Sequence, residues 1–410
     1  MSMGQLQPPL SRRKFHVSVE ARSVIPRPWP ELHNAEGTQS ERSTLQAASK
    51  SASALSCAAT LVTLVAGRRL CIQRSSRRRG VPLRPQGRSV SVARCAADRG
   101  GLRGPAFRTC TVGDVKVHAL TDGAVSCRTS FLFGRRADAG GVGPPGAPAQ
   151  TPSVPEAEPV QRFPSGRAAL SFGCFLLQLR AGQNVLLDTS LGCIDPPIFS
   201  SMTRVRPLLD LRELLRAAAG LEPEDVDLVV HSHLHRDHTG WNVVPSDGPG
   251  GTSRPLFRNA KHVVQRVEWR HWTSSAALRV RCRFAENLAP LEAAGMLRLV
   301  DGETEILPGL TLLPCPGHTP GHQVALVDGG CARAYFVGDA LHQEVQVQNP
   351  DWSPVFDSSP AMSAVARRDL LERAASERAL LLAPHFAFPG VGFVAREGHG
   401  FAYRRLLAEE

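Results

Sequence analysis

Val226-Asp-Leu-Val-Val-His-Ser-His-Leu-His-Arg-Asp-His-Thr-Gly240 runs from an apolar segment straight into a cluster of metal-binding side-chain types. Val226 to Val230 reads as a strand without polar alternation, hence buried on both faces. The residues after it place His233, His235, Asp237 and His238 in the pattern H-x-H-x-D-H. Alternate residues at a strand end point the same way, so His233 and His235 can share one metal ion. Asp237 and His238, where the chain turns into its next segment, can face a second. A lone pair of histidines is more often structural. Four ligand-type residues within six positions at a strand end argue for a metal site.

Further candidates stand where turns follow apolar runs. Pro314-Cys-Pro-Gly-His318-Thr-Pro-Gly-His322 is a Gly/Pro-rich turn that presents His318 after a strand expected over Leu310–Leu313. Gly338-Asp339-Ala340 follows one over Ala334–Val337, and Ala383-Pro384-His385 follows one over Leu380–Leu382. More strands are expected at Val115–Leu120, Phe172–Leu179, Val185–Leu187, Lys261–Val264 and Gln323–Val327. Helices are expected at Leu208–Ala219, closed by Gly220, and around Arg266–Ala277, Phe284–Ala294 and Ala364–Arg378. This mixture suits a layered α/β domain with sheet in the middle.

The order of these motifs, H-x-H-x-D-H, then P-G-H-T-P-G-H, then G-D, then a late His, resembles the metallo-β-lactamase superfamily. The resemblance covers roughly Thr111 to the C-terminus. It implies an αβ/βα four-layer sandwich with two metal ions at one edge of the sheets. On that pattern His233, His235 and His318 bind the first ion, Asp237, His238 and His385 bind the second, and Asp339 bridges them. Zinc is the default for such ligands, with iron, manganese or cobalt open. His238-Thr-Gly-Trp-Asn242 and Asn349-Pro-Asp-Trp-Ser-Pro354 look most like the acyl-homoserine lactonase and methyl parathion hydrolase branch. The expected chemistry is attack on a small ester, lactone or phosphotriester by a hydroxide bridging ions about 3.5–4 Å apart. Asp237, beside that hydroxide, could also shuttle the proton. Relatives are often dimers, so a homodimer is an expectation of the same resemblance.

Other residues near the motifs read differently. His231 and His322 suit packing and hydrogen-bonding roles, and Asp188 could orient a ligand histidine through its free ring nitrogen. His342 occupies the place where the lactonases carry a helper tyrosine, and it could replace that acid. Trp241, Trp269, Trp272, Trp352, Phe131 and Phe133 could line an apolar pocket, although aromatics are more often core. One alternative is a mononuclear-iron persulfide dioxygenase-like oxidoreductase. It uses two histidines and an aspartate, against which the presence of Asp237, His238 and His385 argues. An RNA-processing nuclease is the other alternative.

Charge distribution speaks against nucleic acid. The formal charge of +11 is concentrated in residues 1–105, which hold 18 Lys and Arg against 5 acidic residues. The remainder holds 30 against 32, with Lys116 and Lys261 its only lysines, so a phosphate backbone would find few partners there. Residues 1–105 read as a basic, Ser-rich, largely disordered targeting leader, and 106–410 as the hydrolase domain. Within the leader, Ala54 to Gly67 is apolar but shorter than the about 20 residues a membrane helix needs. Its setting suggests a plastid leader, with a mitochondrial leader or a plain disordered tail as alternatives. Locating a tagged copy and sequencing its mature N-terminus would decide. Gly134 to Gly166, with seven prolines and six glycines, is expected as a long loop, disordered or acting as a lid. Ten cysteines without a C-x-x-C pair suit free thiols rather than a disulfide framework.

Overall fold

The computed structural model describes residues 106–133, 166–192, 203–206, 209–245 and 253–406. The leader expected over 1–105 and all but the last residue of the loop expected over 134–166 lie outside the described residues. The chain divides into two units, Met1–Gly87 and Arg88–Glu410, and every described residue belongs to the second.

Two mixed sheets stack face to face. The first has the order β1 (Phe107–Val112), β2 (Val115–Arg128), β3 (Arg167–Gln178), β4 (Asn184–Leu187), β6 (Leu228–Val230), β9 (Lys261–Gln265) and β10 (Leu297–Val300). β5 (Thr203–Arg206) pairs with β2, and β7 (Val243–Pro245) with β8 (Ser253–Pro255) forms a small separate hairpin. The second sheet follows chain order: β11 (Thr304–Leu307), β12 (Leu310–Pro314), β13 (Gln323–Asp328), β14 (Arg333–Phe336), β15 (Leu380–Leu382), β16 (Val391–Glu397) and β17 (Gly400–Arg405). β4, β6, β9 and β10 run parallel, as do β14 and β15.

The apolar runs lack alternation because both faces of each sheet are covered. Phe175, Leu177 and Leu187 point between the sheets and meet Leu312, Val327 and Phe336. Phe175 and Phe336 pack edge to face, with ring centroids 5.7 Å apart. Their strand neighbours Cys174, Leu176 and Leu186 point the other way, into a cluster with Leu211, Leu214 and Leu215 of the helix Leu211–Ala219. Asp210 caps that helix by accepting from Arg212 N at 2.8 Å, and Gly220 closes it at φ 70°. The helix Pro360–Glu377 covers the outer face of the second sheet, against β14 and β16. The result is the expected helix–sheet–sheet–helix order.

Two expected helices prove to be pairs. The first breaks into Arg266–Thr273 and Ala276–Arg281, where Ser275 Oγ accepts from Leu278 N and starts a new helix. The second divides at Leu288, ahead of Pro290, into Phe284–Asn287 and Ala289–Ala293. The closing hairpin β16–β17 was not expected from the sequence. No helix among the described residues is long and apolar enough to cross a membrane. All six described cysteines are free.

Candidate metal centre

Four strand ends supply the candidate ligands. β6 leads into 231–240, β12 into 315–322, β14 into the turn Gly338–Ala340, and β15 into His385. Backbone geometry lets these turns meet. Gly338, at φ +48°, lies so close to Ser232 and His322 that a Cβ would stand 2.6 Å from Ser232 Cβ and 2.7 Å from His322 Nε2. Only glycine tolerates both that conformation and that approach.

The side chains form two groups joined by one carboxylate. Nε2 of His233, Nδ1 of His235 and Nε2 of His318 stand 2.9, 2.9 and 3.2 Å apart. His238 and His385 bring their Nε2 atoms within 3.2 Å, with Asp237 Oδ2 3.9 and 3.8 Å away. Asp339 lies between the groups. Its Oδ2 is 3.0 Å from His318 Nε2 and 3.6 Å from His233 Nε2, while its Oδ1 is 3.0 Å from both His238 and His385. All seven residues named from the sequence therefore converge, in groups whose ligand atoms lie within 4.8 Å of one another.

Their remote nitrogens are held by acceptors. His238 Nδ1 donates to Asp188 Oδ2 at 2.6 Å, His318 Nδ1 to Asp357 Oδ1 at 3.0 Å, and His385 Nδ1 to Ser171 O at 2.7 Å. Ser232 Oγ donates to Asp188 Oδ2 at 2.7 Å and so accepts from His233 Nδ1 at 3.0 Å. With those protons placed outward, the inward nitrogens of neutral rings present lone pairs to one another at about 3 Å. Such pairs repel unless a cation or a proton stands among them. The spacing is also close to the edge of about 3.3 Å in a tetrahedron of nitrogen ligands at about 2.0–2.1 Å. The residues fit divalent metal ions.

The imidazoles differ electrostatically even within one group. Burial, together with neighbouring imidazoles, holds His233 and His235 well below the usual histidine range. Burial pulls His238 down too, but Asp339 and Asp188 outweigh it and lift it well above that range. Against the same opposing burial, Asp339 and Asp357 lift His318 to about 9. Burial favours a neutral Asp339, yet His238, His385, His342 and His318 keep it well below the carboxylate range. Protons on histidine thus occupy places that a metal would claim, and binding would release them.

Asp188 has the orienting role the sequence suggested. It bonds His238 from a left-handed backbone at φ 58° and also accepts from Ser232 N at 2.7 Å. His322 holds its turn, with Nδ1 on Cys315 O at 3.0 Å and Nε2 accepting from Asp339 N at 2.9 Å. His231 packs on His262, Nε2 to Nδ1 at 3.1 Å, away from the ligand nitrogens. His342 reaches Asp339 Oδ2 at 3.0 Å, and its ring stacks on His385.

The aromatics divide. Trp241 is core, donating to Asp122 at 2.9 Å, and Trp269 packs on Phe284. Trp272 lies against His235 at 5.1 Å. Phe131 and His342 both face Phe356, and Phe133 faces Trp352, so these rings line the His342 side.

Three supporting residues were missed in the sequence. Glu268, fully buried, accepts from Leu234 N, Trp272 Nε1, Thr319 Oγ1 and Gly321 N at 3.0, 2.6, 2.7 and 3.0 Å. It ties the loop of His233 and His235 to the loop of His318. Asp357 is held in turn by buried Arg367, whose Nη2 donates to it at 3.2 Å while Nε and Nη1 donate to Ala340 O and Pro350 O.

Comparisons with known proteins identify the family and the fold. The sequence profile of the metallo-β-lactamase superfamily matches residues 174–244 and 254–385, a span that contains all seven candidate ligands. An N-acyl homoserine lactonase of Bacillus sp is 27% identical over 208 residues, covering 47% of this chain and 73% of that protein. One from Azorhizobium caulinodans is 35% identical over 117 residues, 27% of this chain and 39% of its own length. Among solved structures, AidC, a dizinc quorum-quenching lactonase in complex with a product, matches with a TM-score of 0.58 at 19% identity. That match covers 74% of this chain and 99% of AidC. The hydrolase AbOPH matches with a TM-score of 0.57 at 20% identity, covering 75% of this chain and 100% of its own. With that profile, these strand orders and these converging loops, the chain belongs to the metallo-β-lactamase superfamily.

Proposed function

We propose that the chain is a binuclear metal-dependent hydrolase that cleaves ester-type bonds in small molecules: esters, lactones or phosphotriesters. The observation that carries this is Asp339, with one oxygen turned to each of two imidazole groups. His233, His235 and His318 would hold one ion, Asp237, His238 and His385 the other, and Asp339 both. Zinc suits this donor set. When bound, such ions supply Lewis acidity and a hydroxide nucleophile near neutral pH.

The chain's own residues then have separable tasks. Asp188, Asp357 and Ser171 fix the ring orientations of His238, His318 and His385. Asp237 is the ligand carboxylate most open to solvent, at 26% exposure, so it can take a proton from the reacting centre and pass it outward. The aromatic side by Phe131 and Phe356 excludes water beside His342. Lactonase relatives support the ester-type substrate, and the second ligand group weighs against a one-iron oxidoreductase.

The test is metal content and hydrolysis together, on full-length protein and an Asp339→Ala variant. Two zinc-like ions per chain with turnover of a lactone, an aryl ester or a phosphotriester is the expected result, and both are lost in the variant. One iron, or two ions without cleavage of any of the three, would reject the reading.

A further inference from the structure

Arg236 stands between two candidate ligands, His235 and Asp237, and makes no hydrogen bond or ion pair among the described residues. The residue is half-buried, and its Nη2 is fully buried without a hydrogen-bond partner. Burying an N–H of a charged group unpaired is costly, and native structures rarely leave one without a reason. Arg367 shows the ordinary alternative, since its guanidinium is buried on five acceptors.

Other cations gather on the same side. The sequence Arg279-Val-Arg-Cys-Arg283 ends one short helix and leads into the next. Arg279 is engaged, lying over Phe284 and donating to Thr273 O. Arg281 is exposed and makes no hydrogen bond or ion pair among the described residues. Arg283 is half-buried and, among the described residues, its side chain pairs with Glu286 alone, at 3.5 Å. Asn287 Nδ2, from the same segment, donates to Thr239 Oγ1 at 3.2 Å, which pins these arginines beside the ligand loop. Their fields overlap with the site. Burial chiefly lowers Arg236, and the Arg283 charge adds to that; Arg281 contributes in the same way at His235, after burial, His318 and His238 and against Asp339. Asp237 and Glu286 are the acidic groups that oppose them.

We propose that Arg236, with Arg281 and Arg283 beside it, recognises an anionic group on the substrate, a carboxylate or phosphate remote from the bond that breaks. The proposal rests on the hydrolase reading and narrows its substrate class. A guanidinium gives fork-shaped, charge-assisted hydrogen bonds to either anion, and Arg236 as a whole is only half-buried. Phe131 and Phe356 beside His342 offer apolar rings, which suits an amphipathic substrate with its anion by Arg236.

The experiment uses metal-loaded full-length enzyme and three p-nitrophenyl esters of equal length: pentanoate, the glutarate monoester and 4-phosphonobutanoate. Binding of the corresponding primary amides, which lack the reactive ester, is measured by calorimetry. One or both anionic esters should exceed pentanoate in kcat/KM by about tenfold or more at low salt, with the advantage shrinking as salt rises. Which of the two is preferred identifies carboxylate or phosphate. Arg236→Gln should bring the anionic-to-neutral ratio within about threefold of unity, with Arg236→Lys intermediate and metal content unchanged. Should Arg236→Gln lose metal or fold, the double substitution Arg281→Gln and Arg283→Gln must lower the same ratio. Equal handling of charged and neutral esters, or a ratio indifferent to all these substitutions, overturns the proposal and leaves the hydrolase reading intact. Anionic amides that bind through Arg236 while no ester is cleaved would do the reverse.

Discussion

The two ligand groups differ in how firmly the fold holds them. Around His233, His235 and His318 the nitrogens already stand 2.9–3.2 Å apart, and buried Asp357, Arg367 and Glu268 lock the loops behind them. Around His238 and His385 the imidazoles are equally close, but Asp237 stands back by 3.8–3.9 Å and faces solvent. A preorganised set of donors loses little freedom on binding. On the proposed reading the first group would accordingly be the tighter, and the second would need Asp237 to approach before it was complete. Fixed ligands would then serve affinity, and Asp237, the more exposed one, the proton transfer proposed for it.

Removing the more exposed ligand is the sharpest way to test that contrast. Asp237→Asn should keep one ion and lose the other. Its hydrolysis should fall by more than the about 10–100-fold that loss of an outer partner costs. Loss of both ions in equilibrium dialysis would show the groups to be one indivisible unit. Asp357→Asn is next in size. It removes the charge behind His318, so affinity for the first ion should drop about 10–100-fold while the second changes little. Competition against a zinc chelator reads both constants, and a uniform drop would erase the distinction. Glu268→Gln should have the smallest effect, a loss of about 1–3 kcal/mol in denaturant unfolding of the metal-free chain. The reason is that an amide NH₂ would face donors that now find a carboxylate. A change under about 0.5 kcal/mol would mean that the loops of the first group stand without their tie.

The candidate ligands were legible because strand ends and dense spacing are local signals. Val226–Val230 announces a buried strand, and the four candidates after it need only the next eight residues to be recognised. The braces carry no such signal. Glu268 finds its partners at Leu234, Thr319 and Gly321, and Asp357 finds His318 39 residues earlier, so each is one acidic residue until the chain has folded. Arg236 was visible only as a filler between ligands, because an unpaired buried nitrogen is a property of packing. Helix ends failed for a related reason. Apolar spacing continues across Ser274-Ser275 and Leu288, and the breaks come from a capping serine and a proline rather than from a change of period. The hairpin β16–β17 was missed because Arg396, Glu397, Arg404 and Arg405 hide its alternation, although Gly398 at φ 56° marks its turn.

The four ligand-bearing loops come from opposite halves of the sandwich. His233, His235, Asp237 and His238 hang from the first sheet, whereas His318, Asp339 and His385 hang from the second. Neither sheet owns a complete set for either ion. Any ion bound here would act as a rivet between the two sheets, closing a chain segment of more than 80 residues from His233 to His318 as a covalent cross-link would. Loss of metal would therefore loosen the seam on which the whole domain closes, so that inactivation and weakened cohesion arrive together.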